Sequence, residues 1–68
     1  MIRGDSGNDI IFTLAGNDEA NGGGNGNDII YSGSGDDRSY GTKGNNDILV
    51  GGPGDDIIVG GFDGDLLV

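Results

Sequence analysis

The stretch that decides the fold is Gly51-Gly52-Pro53-Gly54-Asp55-Asp56-Ile57-Ile58-Val59. A glycine-rich turn leads into an aspartate, and the aspartate leads into three apolar residues that suffice only for a very short strand. Residues 23–31 and residues 60–68 repeat the same plan. Almost no residue of the 68-residue chain lies outside a copy of this unit.

The repeats become regular when they are aligned on the aspartate that closes each glycine turn. These aspartates are Asp9, Asp18, Asp28, Asp37, Asp47, Asp56 and Asp65. They follow one another at steps of 9, 10, 9, 10, 9 and 9 residues, so two repeats advance the chain by 19 residues, or 18 at the last step. A fixed period of this kind indicates a solenoid, in which each repeat stacks on its neighbours. Two repeats are therefore expected to form one turn, with a short strand on each side.

The predicted fold is all-β: a parallel β-roll, or β-solenoid, with two nonapeptide-like repeats per turn, no helix and a single domain over residues 1–68. No segment shows helical spacing, and glycine interrupts every window. Side chains alternate between the faces of a strand, so the middle residue of each strand is expected to point inward. The predicted core is Ile11, Ala20, Ile30, Ser39, Leu49, Ile58 and Leu67, with Ile2 as a first layer. On the outside, Glu19 and Arg38 are expected one turn apart.

The composition taken alone favours a disordered acidic segment. The net charge is −9, from 12 acidic and three basic residues, 17 residues are glycine, and only 32% are hydrophobic. The chain has no cysteine and no histidine, which excludes disulfides and a histidine-ligated zinc or copper site. Phosphates would be repelled, so nucleic acid is not an expected partner. No apolar run approaches the length of a membrane span. A hard cation that binds carboxylates would favour folding instead.

Stacking the repeats would place the aspartates in two columns. Parallel strands lie about 4.8 Å apart, and unit charges at roughly 5 Å repel by about 3 kcal/mol at an effective dielectric of 20. A divalent cation between successive carboxylates turns this repulsion into attraction. Ca²⁺ accepts six to eight oxygens in flexible geometry, which carbonyl-rich glycine corners suit better than they suit Mg²⁺. Five pairs could each hold one ion: Asp9/Asp28, Asp28/Asp47, Asp47/Asp65, Asp18/Asp37 and Asp37/Asp56.

The unit resembles the pattern G-G-x-G-x-D-x-U-x of the RTX, or hemolysin-type, calcium-binding nonapeptide repeats. The resemblance covers residues 4–68, and residues 23–31 and 51–59 are the best copies. It implies that the chain binds Ca²⁺, that it is secreted into a calcium-rich medium and that the roll is disordered beforehand.

The resemblance also implies the carbonyl ligands. The earlier repeat of a pair offers its second and fourth residues, and the later repeat offers its first and third. Carried over to Asp37/Asp56, these are Gly33, Gly35, Gly51 and Pro53. Carried over to Asp18/Asp37, they are Leu14, Gly16, Ser32 and Ser34. The ten-residue steps blur the alignment in the other column, where Gly24 and Gly26 are the expected positions.

Functions other than calcium binding find less support in the sequence. An adhesive or scaffolding module would use the outer face of one sheet, through self-association or packing against a parent domain; that face would carry Ile10, Phe12, Ile29, Tyr31, Ile48, Val50, Leu66 and Val68. Ice binding by a 19-residue solenoid would require a threonine ladder, which the sequence lacks. An enzyme is not expected, because the chain has no histidine, cysteine or activated lysine. The EF-hand and P-loop patterns are incomplete.

Overall fold

The computed structural model describes residues 2–41, 46–61 and 65–68. Its strands are β1 (Ile2–Arg3), β2 (Ile10–Phe12), β3 (Glu19–Asn21), β4 (Ile29–Tyr31), β5 (Arg38–Tyr40), β6 (Ile48–Val50), β7 (Ile57–Val59) and β8 (Leu66–Leu67). No helix occurs in these ranges. The described residues therefore contain no helix that could cross a membrane. The predicted all-β class is confirmed.

The strands form two parallel sheets that face each other across the coil. One sheet has the order β1-β3-β5-β7 and the other has the order β2-β4-β6-β8. We call the first the mixed sheet, because its outer face is part polar, and the second the apolar sheet. Strands that are adjacent in sequence lie in opposite sheets, so each turn of the solenoid consists of two repeats, as the period predicts.

The strand register follows the spacing of the repeats. In the apolar sheet, Ile10 pairs with Ile29, Ile29 with Ile48 and Ile48 with Leu66. The last of these pairs spans 18 residues and the other two span 19. A shorter last step therefore leaves the stacking of like positions intact.

The core is a single column of inward side chains, as the strand alternation predicts. Ile11, Ala20, Ile30 and Leu49 are buried, and Ile58 packs against them. Ser39 is also buried, at 1% exposure.

The two terminal layers differ from the prediction. Ile2 is 42% exposed and Leu67 is 49% exposed, so assigning them to the core was wrong. Both lie in the outermost strand of their sheet, β1 and β8, where a neighbouring strand covers only one side. β1 and β8 are also the first and last strands of the chain, so nothing further along the coil covers them, whereas Ile11 and Ile58 in the other two edge strands, β2 and β7, still pack in the core.

The corners bring the main chains of successive turns into close approach at glycine. Gly35 has φ +112°, and a Cβ there would lie 2.2 Å from the carbonyl oxygen of Gly16 in the preceding turn. Gly54 stands in the same relation to Gly35, with φ +115°. A side chain at either position would strain the backbone and push the turns apart, which explains why glycine recurs at this point of the repeat.

Candidate metal centre

The aspartates stack because each one immediately precedes a strand, so that the strand pairing carries it along. Asp9, Asp28, Asp47 and Asp65 lie along the apolar sheet, and we call them the first column. Asp18, Asp37 and Asp56 lie along the mixed sheet and form the second column. In both columns, one carboxylate oxygen of the later aspartate, Oδ1, accepts the main-chain N–H of the earlier one. The pairs are Asp9–Asp28 (3.0 Å), Asp28–Asp47 (2.8 Å), Asp47–Asp65 (2.9 Å), Asp18–Asp37 (2.8 Å) and Asp37–Asp56 (3.0 Å).

The structure therefore brings together each pair of aspartates that the sequence placed two repeats apart. This includes Asp47 and Asp65, which are separated by 18 residues instead of 19. The hydrogen bonds fix the direction of one oxygen of each later carboxylate. The other oxygen, Oδ2, remains available for a different partner.

Oδ2 is buried and has no hydrogen-bond partner in five aspartates. These are Asp9, Asp18, Asp28, Asp37 and Asp47. Three of the side chains are almost completely enclosed, with exposures of 0% for Asp28, 2% for Asp37 and 0% for Asp47. A buried carboxylate oxygen without a donor or a cation costs several kcal/mol. An atom of this kind in each turn indicates that the fold provides for a positively charged ligand.

The surroundings of Asp28 disfavour its negative charge. Burial raises the pKa of its carboxyl above the ordinary value of 3.8, and the neighbouring charges of Asp47 and Asp9 raise the pKa further. The hydrogen bond from the Asp9 N–H acts in the opposite direction but does not cancel these effects. In the absence of a cation, the fold therefore disfavours the charged form of Asp28.

Main-chain oxygens supply the remaining candidate ligands, and in the second column they lie between the same two turns. The carbonyls of Leu14 and Gly16 approach the next turn. The Leu14 oxygen lies 2.3 Å from a Cβ position built on Gly33, and the Gly16 oxygen lies 2.2 Å from one built on Gly35. The carbonyl of Ser32 points back and accepts the Thr13 hydroxyl at 2.7 Å. The carbonyl of Ser34 also points back and accepts the Gly16 N–H at 3.1 Å. All four carbonyls expected beside Asp18 and Asp37 therefore face one gap.

In the next gap, around Asp37 and Asp56, three of the four expected carbonyls lie in the same way. The carbonyls of Gly33 and Gly35 approach Gly52 and Gly54 of the following turn. The carbonyl of Pro53 accepts the Gly35 N–H at 3.2 Å. Gly51 lies against the Asp56 carboxylate, where a Cβ would stand only 2.5 Å from Oδ2.

The first column contains two oxygens that the sequence reasoning did not assign. The carbonyl of Asp5 accepts the Gly24 N–H at 2.8 Å, and the carbonyl of Gly7 lies 2.1 Å from a Cβ position on Gly26. The Gly24 N–H and the Cβ position of Gly26 face the gap between Asp9 and Asp28, and the carbonyls of these two glycines stay a prediction as ligands. The extra residue at Gly22 obscured the matching positions. Counting back from Asp9 instead of forward from Gly22 would have found Asp5 and Gly7.

A second ladder, outside the columns, was also missed. The side-chain oxygens of Asn8, Asn17 and Asp36 accept the main-chain N–H of the matching residue one turn later, at 2.8, 2.9 and 2.9 Å. The signal was present, because asparagine or aspartate precedes each column aspartate from Asp9 to Asp56. Tight turns also favour asparagine and aspartate at these positions, so the periodic signal does not by itself indicate a ladder.

The donor set fits a hard cation. Every candidate ligand is an oxygen, and no group of three acidic side chains occurs within the described ranges, so carbonyls must complete any shell. Ca²⁺ accepts this mixture of carboxylates and carbonyls. The arrangement offers no thiolate or imidazole for a softer metal.

Comparison with known proteins gave one match. The family model for the RTX calcium-binding nonapeptide repeat matches in four copies, over residues 1–25, 23–46 and 40–67. No curated protein and no solved structure matches the chain.

Proposed function

The chain belongs to the RTX calcium-binding nonapeptide repeat family, and on that premise we propose that it folds on binding calcium, with up to five ions between its stacked turns. One observation carries the proposal: five aspartates each present a buried Oδ2 atom without a hydrogen-bond partner. Family membership and the β-solenoid support a calcium-binding repeat module. The number of ions, the coupling to folding and the ligand residues are the proposed part.

The proposed ligands are the paired aspartates and the carbonyls that face each gap. In the second column the carbonyl ligands are Leu14, Gly16, Ser32 and Ser34 in one gap, and Gly33, Gly35, Gly51 and Pro53 in the other. In the first column, Gly24 and Gly26 are proposed together with Asp5 and Gly7. Bound Ca²⁺ would supply the positive charge that the carboxylates lack.

Folding should depend on the ion because the metal-free chain opposes its own fold. Its net charge is −9, and 17 of its 68 residues are glycine, which lose much backbone freedom on folding. The described core contains only four buried apolar side chains. Five divalent ions add a charge of +10 and would leave the chain near neutrality. Binding free energy then becomes folding free energy, as in other small metal-dependent domains.

We propose a secreted, calcium-rich setting and a binding role without catalysis. Extracellular modules bind calcium with dissociation constants of roughly 10⁻⁴–10⁻³ M, so calcium outside a cell would fold such a chain. The family is a binding module and not an enzymatic one.

The decisive experiment is a calcium titration of metal-free protein followed by far-UV circular dichroism. We expect a steep rise in β-structure with calcium and none with magnesium at the same concentration. Calorimetry of the same sample should give a stoichiometry that does not exceed five. Regular structure that persists in excess EDTA would contradict the coupling of folding to calcium.

A second candidate function, an interaction module, is favoured by the outer face of the apolar sheet. Ile10, Phe12, Tyr31, Leu66 and Val68 are each at least 40% exposed there. The Phe12 and Tyr31 rings stack with centroids 5.1 Å apart and an angle of 6° between their planes. Exposed apolar patches of this kind usually mark a contact surface.

The size of this face limits how strongly two copies could associate. The molecule measures 27 × 19 × 12 Å, so one sheet offers less than the roughly 800 Å² per partner of a standard interface. Sedimentation of calcium-loaded protein should therefore show weak, concentration-dependent association. A strict monomer at high concentration would count against self-association and leave packing on a parent domain.

A further inference from the structure

The sequence contains two Asn-Gly pairs, Asn21-Gly22 and Asn25-Gly26, and the fold treats them differently. Asparagine is a thermolabile residue. Its side-chain amide is most exposed to attack when the next residue is glycine, because the attacking main-chain nitrogen then carries no neighbouring side chain to hinder it. The two pairs have the same chemistry, so any difference between them must come from structure.

In the Asn21-Gly22 pair, hydrogen bonds hold both the Asn21 side-chain amide and the Gly22 main-chain nitrogen that would attack it. The Asn21 side-chain oxygen accepts the Gly23 N–H at 2.8 Å, which fixes the amide. The Gly22 nitrogen, which would be the nucleophile, is buried and donates to the Tyr40 carbonyl at 2.8 Å. Attack at this pair therefore requires local opening of the sheet.

The Asn25-Gly26 pair lies in a more exposed corner, where Gly26 packs against the Gly7 carbonyl but the described residues show fewer hydrogen bonds. Among the described residues, no hydrogen-bond partner is found for the Asn25 side chain or for the Gly26 N–H. Asn25 is exposed, and one hydrogen bond holds its main chain, from the Gly7 N–H to the Asn25 carbonyl at 3.1 Å. Rotating Asn25 into an attacking geometry therefore breaks one hydrogen bond instead of a strand pairing.

We propose that Asn25-Gly26 is a site of spontaneous deamidation in the folded protein, and that the fold protects Asn21-Gly22. The Gly26 nitrogen forms a bond to the side-chain carbonyl carbon of Asn25. The amide nitrogen leaves as ammonia and takes the proton that Gly26 loses, which gives a cyclic imide. Solvent water then opens the imide at either carbonyl, producing aspartate or isoaspartate at position 25. The balance is one water consumed and one ammonia released, with no oxidation or reduction.

The reaction would alter the corner between Asp9 and Asp28. Aspartate at position 25 adds a negative charge there, and isoaspartate lengthens the main chain by one methylene between Gly24 and Gly26. The consequence for calcium binding rests on the proposed function, but the deamidation itself does not. The two claims can fail separately, because one is read from calcium binding and the other from the chemical product.

The test is to incubate the calcium-loaded full chain at mildly alkaline pH and to map its peptides by electron-transfer fragmentation, which distinguishes aspartate from isoaspartate. The same chain in urea with chelator is the matched control, because both pairs are then equally exposed. We expect conversion at position 25 to exceed that at position 21 by at least about tenfold in the calcium-loaded sample, equivalent to about 1.4 kcal/mol of opening free energy. Urea should bring the two rates together.

The variants define the remaining outcomes. N25Q should abolish the product at position 25 and leave the slow reaction at position 21 unchanged. Equal rates without urea, faster reaction at position 21, or no product at position 25 when urea yields both products would each overturn the proposal.

Discussion

Asp28 carries a buried carboxylate whose ionised form destabilises the metal-free fold. It is 0% exposed, and burial and the charges of Asp47 and Asp9 raise its pKa. We predict that D28N stabilises the metal-free fold by about 1 kcal/mol, because a neutral amide costs less to bury than a carboxylate and can still accept the Asp9 N–H. The same change should weaken calcium binding. Urea titration in EDTA and calorimetry with calcium measure the two effects.

The matched control is D55N, which removes the same charge from an exposed corner. It should leave both quantities nearly unchanged. Equal effects of the two substitutions would mean that total charge, and not burial at Asp28, sets the cost.

The raised pKa of Asp28 also predicts how the stability of the metal-free chain depends on pH. Because the folded-state pKa lies above the ordinary value of 3.8, the folded state binds the proton more tightly than the unfolded state. The stabilisation from Asp28 is therefore fully present below 3.8 and is lost as pH rises through the folded-state pKa. Circular dichroism of demetallated protein should show less structure at neutral pH than in acid. D28N should reduce this loss, and an undiminished loss would assign it to other carboxyls.

Leu14 is strained in a way that its neighbours are not. It has φ +66°, and its side chain is 71% exposed, so it gains little burial in return. The left-handed conformation destabilises a residue with a side chain by roughly 1–2 kcal/mol, and glycine removes this strain. Glycine also loses more backbone entropy on folding, which offsets about 0.5–1 kcal/mol of the stabilisation. L14G should therefore raise the calcium-loaded stability by about 0.5–1 kcal/mol in urea unfolding. A15G, at the next exposed position, should lower it.

At the scale of single elements, β5 places the side chain of a serine in the core. The hydroxyl of this serine forms a hydrogen bond with a residue that lies outside the strands. Ser39 in β5 and Ser32 are both 1% exposed, and their hydroxyls share a hydrogen bond. Either S32A or S39A alone leaves a buried hydroxyl unpaired, which costs about 1–3 kcal/mol. The double variant should lose less than the sum of the single losses, because no hydroxyl remains unpaired. Additive losses in urea unfolding would show that the two hydroxyls act independently.

The same elements show how much the sequence could predict. The positions of the aspartates predicted the strands from β2 to β8, the 19-residue register and the inward face, since strand periodicity and stacking leave few alternatives. Ser32 and Ser39 could not be paired in advance, because their bond joins a corner to a strand and follows no period. The ladder through Asn17 and Asp36 had a periodic signal, but tight turns also favour asparagine and aspartate at those positions, so the signal did not predict a ladder.

For the whole molecule, the one-dimensional arrangement links the proposed ion sites to one another. In a solenoid each repeat contacts only its neighbours, and stability is a sum of repeat and interface contributions. Asp28, Asp37 and Asp47 each belong to two of the five aspartate pairs, and the other four column aspartates belong to one pair each. Ordering one of the shared residues at one gap prepares it for the next gap. Calcium binding should therefore be cooperative along each column.

Because Asp37 belongs to two aspartate pairs, the number of ions lost on substitution can be predicted within the second column. D37N replaces a carboxylate ligand with a neutral, weaker amide ligand in both gaps of that column, Asp18/Asp37 and Asp37/Asp56, whereas D56N does so in the second gap alone. Starting from five proposed ions, calorimetry should lose two with D37N and one with D56N, and the binding curve should become less steep with D37N. The substitutions are chemically identical and lie in one column, so a difference between them reports position alone. Equal losses would mean that the ions do not bridge successive turns, and the pairwise assignment of sites would then be wrong.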